Sequence, residues 1–231
     1  MTSALAAQKP LFEPGTQRAY HSATLGFLVG ELIRRVTGKS IGDFLSEELC
    51  RPHGIEYWIG LPADQHHRCA EFFGETRGTL FDQSPTGSLM VKAMAQVPPG
   101  DFNTPRFRSA EIPSINGIGT ARGVATLFGG LAAGGILNGE RFVGAEVLGE
   151  ATTMQWHGTE DLLGHTRRMG LGFALGLPGH IGMGPNLRSF GHTGAGGAIG
   201  FADPDIGLGF AYAPNHMFSG KGISPRLQAL V

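Results

Sequence analysis

The chain is poor in the features that tie a protein to a special environment. It has two cysteines, Cys50 and Cys69, in 231 residues. That is too few for a disulfide framework, so a reducing compartment and a cytoplasmic location are the expectation. No apolar run approaches the ~20 residues that a membrane span needs. The opening MTSALAAQKP lacks a basic stretch followed by a long apolar core, so no secretory signal is legible. A formal net charge of −1, without any block of lysine or arginine, excludes nucleic acid or an anionic membrane surface as the main partner. His53, His66, His67 and Cys69 lie near one another in sequence, but their spacing fits no standard zinc site. Gly194 and Gly196 lack the third glycine and the acidic residue of a dinucleotide fingerprint. Neither metal nor cofactor is expected.

What the chain does have is glycine: 38 residues, more than twice the usual share of about 7%. These glycines are dispersed rather than periodic, which suits a sheet protein with tight turns and close backbone approach. A hydrophobic content of 41% and a mean hydropathy of −0.01 fit a globular protein with a sizeable core.

Periodicity places the elements. Leu25, Leu28, Val29, Leu32, Ile33 and Val36 recur at helical spacing, predicting a helix from Ala23 to Thr37 stopped by Gly38. Ser40 with Asp43 reads as the N-cap of a second helix, Ile41 to Leu49, halted by Pro52. Gly38-Lys39-Ser40-Ile41-Gly42 matches G-x-S-x-G formally. A helix rather than a strand enters it, so Ser40 is a cap and not a nucleophile. Residues 53–115 are punctuated by proline and glycine, with one short helix expected at Leu89–Ala95. A stretch that long without periodicity predicts a lid or binding region. Beyond it come a helix from Thr120 closed by Gly134-Gly135 and a helix at Ala145–Trp156. Three strands follow: Leu171–Leu177, Ala198–Ala202 and Ile206–Ala213. The last two flank Asp203-Pro204-Asp205 as a hairpin. Asn116 reads as a turn residue.

Two short motifs carry the chemistry: Tyr20-His21-Ser22, and His192-Thr193-Gly194 within FGHTGAGGAIGFADPDIGLGFAY. With its context PGTQRAYHSATLGFLVGELIRRVTGKSIGDFL, the first resembles the tyrosine motif of class C β-lactamases and family VIII carboxylesterases, and the second resembles their K-T-G strand. The resemblance covers roughly residues 12–231, weakest over 53–110. It implies an α/β (α+β) fold of the β-lactamase/transpeptidase type, with an antiparallel sheet flanked by helices and an irregular helical region over the site. The chain would be one partial domain, 1–231. Residues 12–110 would hold the tyrosine-motif helices and lid-like region, and 111–231 the helices and the sheet with the H-T-G strand.

In that family a serine of an S-x-x-K motif is the nucleophile. The lysines here are Lys9, Lys39, Lys92 and Lys221, preceded three positions earlier by Ala6, Val36, Leu89 and Phe218, so no S-x-x-K exists. Only nineteen residues precede Tyr20, and the chain reads as an internal fragment of a longer enzyme. The resemblance gives Tyr20 the role of base and acid, and Ser22 that of a polar positioning group. His192, Thr193 and Gly194 would face the substrate, and the Ala195 N–H would form half of an oxyanion hole. A free phenol titrates near 10, so Tyr20 needs the missing lysine's charge to act as base. Histidine in place of the motif's lysine removes a fixed cation and tilts the expected substrate from carboxylate-bearing β-lactams toward neutral esters. The leading expectation is therefore a carboxylesterase working through an acyl-serine intermediate on a small ester or amide. The alternatives are a class C-like β-lactamase or D-Ala-D-Ala carboxypeptidase, and a non-catalytic ligand-binding relative. Oligomeric state is open.

Overall fold

The structure is a computed structural model that describes residues 1–16, 20–74, 102–159, 166–177, 183–218 and 225–228. The helix expected at Leu89–Ala95 lies outside the described residues.

Helix α1 (Thr2–Ala7) precedes α2 (Thr24–Thr37), whose C-cap Gly38 takes the left-handed conformation, φ 76°. Helix α3 (Ile41–Leu45) starts on Ser40, whose side chain accepts a hydrogen bond from the Asp43 N–H at 3.1 Å, and continues as a π turn over Ser46–Cys50. Strand β1 (Tyr57–Ile59) follows, then a 3₁₀ turn at Ala63–Arg68 and the short α4 (Pro105–Ser109). Strand β2 (Gly117–Gly119) pairs antiparallel with β1. Thr120 then caps α5 (Ala121–Ala132), accepting from the Gly123 N–H at 3.0 Å. The small hairpin β3 (Ile136–Leu137) and β4 (Glu140–Arg141) leads into α6 (Ala145–Thr152).

That helix ends earlier than its sequence predicts. Thr152 and Thr153 turn their hydroxyls back onto the Leu148 and Gly149 carbonyls, satisfying the last turn. Trp156 then opens strand β5 (Trp156–Thr159), which pairs through it with Met169 of β6 (Thr166–Met169). The strand expected over Leu171–Leu177 is shorter too. Only β7 (Ala174–Leu175) pairs, because Gly172 at φ 81° makes the tight turn back from β6.

Strands β8 (Phe190–Thr193), β9 (Ile199–Asp203) and β10 (Leu208–Tyr212) complete a six-stranded antiparallel sheet in the order β10-β9-β8-β7-β6-β5. The β9–β10 hairpin expected from sequence is present, with Asp203 fully buried. Its carboxylate accepts from the Asp205 N–H and the Asn186 amide, which closes the turn. The C-terminal segment forms α7 (Pro225–Gln228).

The core lies on both faces of this sheet. On one face Ala132 and Leu148 from α5 and α6 pack with Leu175, Phe190 and Ala202. On the other, Leu227 of α7 packs with Met169, Ala174, Met183, Ile199 and Phe201. A third cluster of Cys50, Ile55 and Leu137 ties α3's π turn to the β3 hairpin. Glycine sets the spacing of α5 on the sheet. A Cβ on Gly209 would collide with the Gly129 backbone N and Ala125 O, so the helix rests directly on β10. The apolar stripe of α2 stays largely uncovered. Leu25, Leu28, Val29, Leu32 and Val36 are 42–77% exposed.

Candidate functional site

Tyr20 sits just ahead of α2, and its place depends on how that helix begins. The α2 N-terminus is held by the Gly26 N–H, which donates to Ser114 Oγ at 2.7 Å. Gly26 is the residue that permits this, since a Cβ there would lie 2.5 Å from the Ser114 N. The Ser114 loop is held in turn by Asn116. That side chain is 3% exposed and accepts from the Ile112 N–H while donating to the carbonyls of Phe107 and Ala110. Asn116 is thus a buried bracket for the segment behind the helix, more than the simple turn residue its sequence suggests.

His21, the middle residue of the tyrosine motif, is exposed and shares a hydrogen bond with Thr24 Oγ1 at 2.8 Å. Tyr20 and Ser22, on either side, are half-buried. From the far end of the chain β8 brings His192 to meet Tyr20. The two rings lie nearly parallel, 14° apart, with centroids 6.1 Å apart. The two motifs separated in sequence therefore converge in space.

The H-T-G strand is built to come close to its neighbours. A Cβ on Gly191 would strike the Gly200 carbonyl, and one on Gly200 would lie 2.5 Å from the Phe128 ring. Past Thr193 the chain turns sharply. The Gly194 N–H donates to Ala198 O at 2.7 Å, and Gly196 and Gly197 adopt φ of 79° and 96°, which a side chain would resist. Ala195 opens this turn, is exposed, and its N–H donates to no acceptor among the described residues. Beside the turn lies a cleft of about 310 Å³ lined by Gly196, Tyr212, His216, Met217, Phe218 and Arg226. Gly196 and Tyr212 belong to the H-T-G run, whereas His216, Met217, Phe218 and Arg226 carry no motif and nothing in the sequence marked them.

His192 is held in one state. Its Nδ1 lies 2.6 Å from the Thr193 carbonyl, and a carbonyl only accepts, so Nδ1 carries the proton. Burial pushes the imidazole pKa below its ordinary value. The Thr193 carbonyl works against that shift and the Arg167 charge adds to it. At neutral pH the ring is uncharged. His66, one of the clustered histidines, serves the fold: its Nε2 lies 3.2 Å from both Leu61 O and Ser109 Oγ.

Among the described residues no helix is long and apolar enough to cross a membrane, and no group of three or more metal-binding side chains converges.

Comparison with known proteins gives one answer. The β-lactamase family model matches residues 1–230. The esterase/β-lactamase LipL of Mycobacterium tuberculosis is 32% identical over 219 residues, 87% of this chain and 49% of that protein. A solved family VIII carboxylesterase superposes with a TM-score of 0.85 at 38% identity, covering 98% of this chain and 60% of its own. A penicillin-binding protein homolog from Caulobacter crescentus gives 0.85 at 36% identity, with 97% and 60% covered. The chain spans about half the length of the curated relative it matches. Helices packed on an antiparallel sheet, with the tyrosine and H-T-G motifs side by side, agree with these matches along nearly the whole sequence: the chain belongs to the β-lactamase family.

Proposed function

We propose that this chain is the tyrosine- and H-T-G-bearing part of a serine carboxylesterase, acting on small neutral esters through an acyl-serine intermediate. The observation that carries the reading is the stacking of Tyr20 on His192 across almost the whole sequence. A scaffold without chemistry has no need to hold these two rings together. Tyr20 accepts the proton of the incoming serine and returns it to the leaving alcohol. The exposed Ala195 N–H at the strand-end turn donates to the developing oxyanion, with the serine's own N–H as its partner. The serine is not among these 231 residues, which contain no S-x-x-K. Tyr20 also depends on the cation that such a motif supplies, since a free phenol is a poor base at neutral pH.

Esterase is favoured over β-lactamase because His192 is uncharged where K-T-G enzymes hold a lysine for the substrate carboxylate. The names of the relatives support either activity. Binding without turnover is the second reading, and the missing nucleophile is what favours it.

The test joins this chain to the nucleophile-bearing segment of the family VIII carboxylesterase relative and assays short-chain p-nitrophenyl esters beside nitrocefin. Ester hydrolysis is expected, falling by about 10²–10⁴-fold in Tyr20→Phe. Faster turnover of nitrocefin than of the esters, or activity indifferent to Tyr20, would sink the assignment.

A further inference from the structure

His192 has two ring nitrogens, and the structure uses only one. Nδ1–H is committed to the Thr193 carbonyl at 2.6 Å. Nε2, at the opposite edge of the ring, meets no hydrogen-bonding partner among the described residues, although the ring is half-buried and one side faces Tyr20. With the proton fixed on Nδ1, a neutral ring leaves Nε2 as a bare lone pair, able to accept and unable to donate. That lone pair is open to water or to a ligand.

From this geometry we infer that His192 Nε2 is a recognition atom for a hydrogen-bond donor. The site would then select esters that carry a hydroxyl or amide N–H beside the reacting carbonyl, over those carrying an ether or a carboxylate. This rests on the esterase reading and narrows its substrate class. A lysine at this position offers only donors and attracts anions. His192 reverses that polarity, because a carboxylate would set its own lone pairs against Nε2. Two positive charges lie near this atom, and neither offers it a hydrogen bond among the described residues. Arg167 is a nearby positive charge that adds to the effect of burial in disfavouring the protonated ring. Arg226 lines the adjoining cleft, is solvent-exposed, and forms no ion pair among the described residues.

The ¹⁵N-labelled chain tests this in two steps. Long-range ¹H–¹⁵N spectra at pH 7 should show His192, assigned by loss of its peaks in His192→Gln, as the neutral Nδ1–H tautomer. An Nε2–H tautomer or an imidazolium at that pH overturns the proposal before any ligand is added. Three matched esters then follow: methyl mandelate, methyl α-methoxyphenylacetate and monomethyl phenylmalonate. The hydroxyl ester should shift the Nε2 resonance and bind about three- to tenfold tighter than the methoxy ester, the worth of one net hydrogen bond. Equal binding of the three, or preference for the carboxylate, overturns donor selection while leaving the esterase reading in place. If no ester perturbs His192, donor selection falls, and the p-nitrophenyl ester assay of the joined enzyme decides the esterase reading separately.

Discussion

At the scale of single residues, the site depends on protonation states imposed by backbone atoms. The Thr193 carbonyl chooses the tautomer of His192, and burial then penalises its charged form. This has a consequence for stability with a definite sign. The folded pKa lies below the ordinary 6.5. Between the two values the unfolded chain binds a proton that the folded chain refuses. Stability is therefore fully present above 6.5, and it is lost as pH falls through that window toward the folded pKa. The melting temperature should drop between pH 7.5 and 5 by more in the native chain than in His192→Gln, whose amide stays neutral throughout. Identical drops in both proteins would show that the acid sensitivity lies elsewhere.

At the scale of elements, α2 raises the sharpest question. Its six apolar positions form one stripe at helical spacing, as amphipathic helices do, yet five of them are 42–77% exposed. Periodicity tells which side of a helix is apolar; it does not tell whether anything covers that side. The prediction is that Leu28→Gln with Leu32→Gln changes the stability of this chain by no more than about 0.5 kcal/mol, the range of surface substitutions. The pair should at the same time reduce self-association and the binding of a hydrophobic dye, read by light scattering and ANS fluorescence. Loss of folding in that double variant would mean that the stripe is packed in solution. Local signals were otherwise legible in this part of the chain. Ser40, Thr120 and Gly38 make their capping contacts within one helical turn, so the sequence window around each contains the cap. The end of α6 was not legible, because what removes Trp156 from the helix is Met169 on another strand. Asn116 escaped for the same reason, as its partners spread over Phe107 to Ile112.

At the scale of the whole molecule, the distance between the α5 layer and the sheet is set by glycine facing backbone. Gly209 on β10 lies against Gly129 and Ala125 of α5, with no flexible side chain between them to give way. Gly209→Ala should therefore lift the helix, or bend the edge strand, at a cost of about 1–3 kcal/mol. Chemical denaturation measures this directly, and an unchanged midpoint would show that the layers are looser than their packing indicates. The general architecture was legible because the motifs carried their structural context with them, and the H-T-G strand and the hairpin behind it fell where expected. The convergence of Tyr20 and His192 was an expectation of the resemblance alone. No periodicity in either segment points to the other.

That convergence also bears on time. A ribosome releases Tyr20 well before His192. At about 5–20 residues per second, the positions between 20 and 192 take roughly 10–35 s to emerge. Throughout that interval the tyrosine helix exists without the strand that completes its pocket. No ligand of the finished site can help the tyrosine segment to fold before the H-T-G strand arrives.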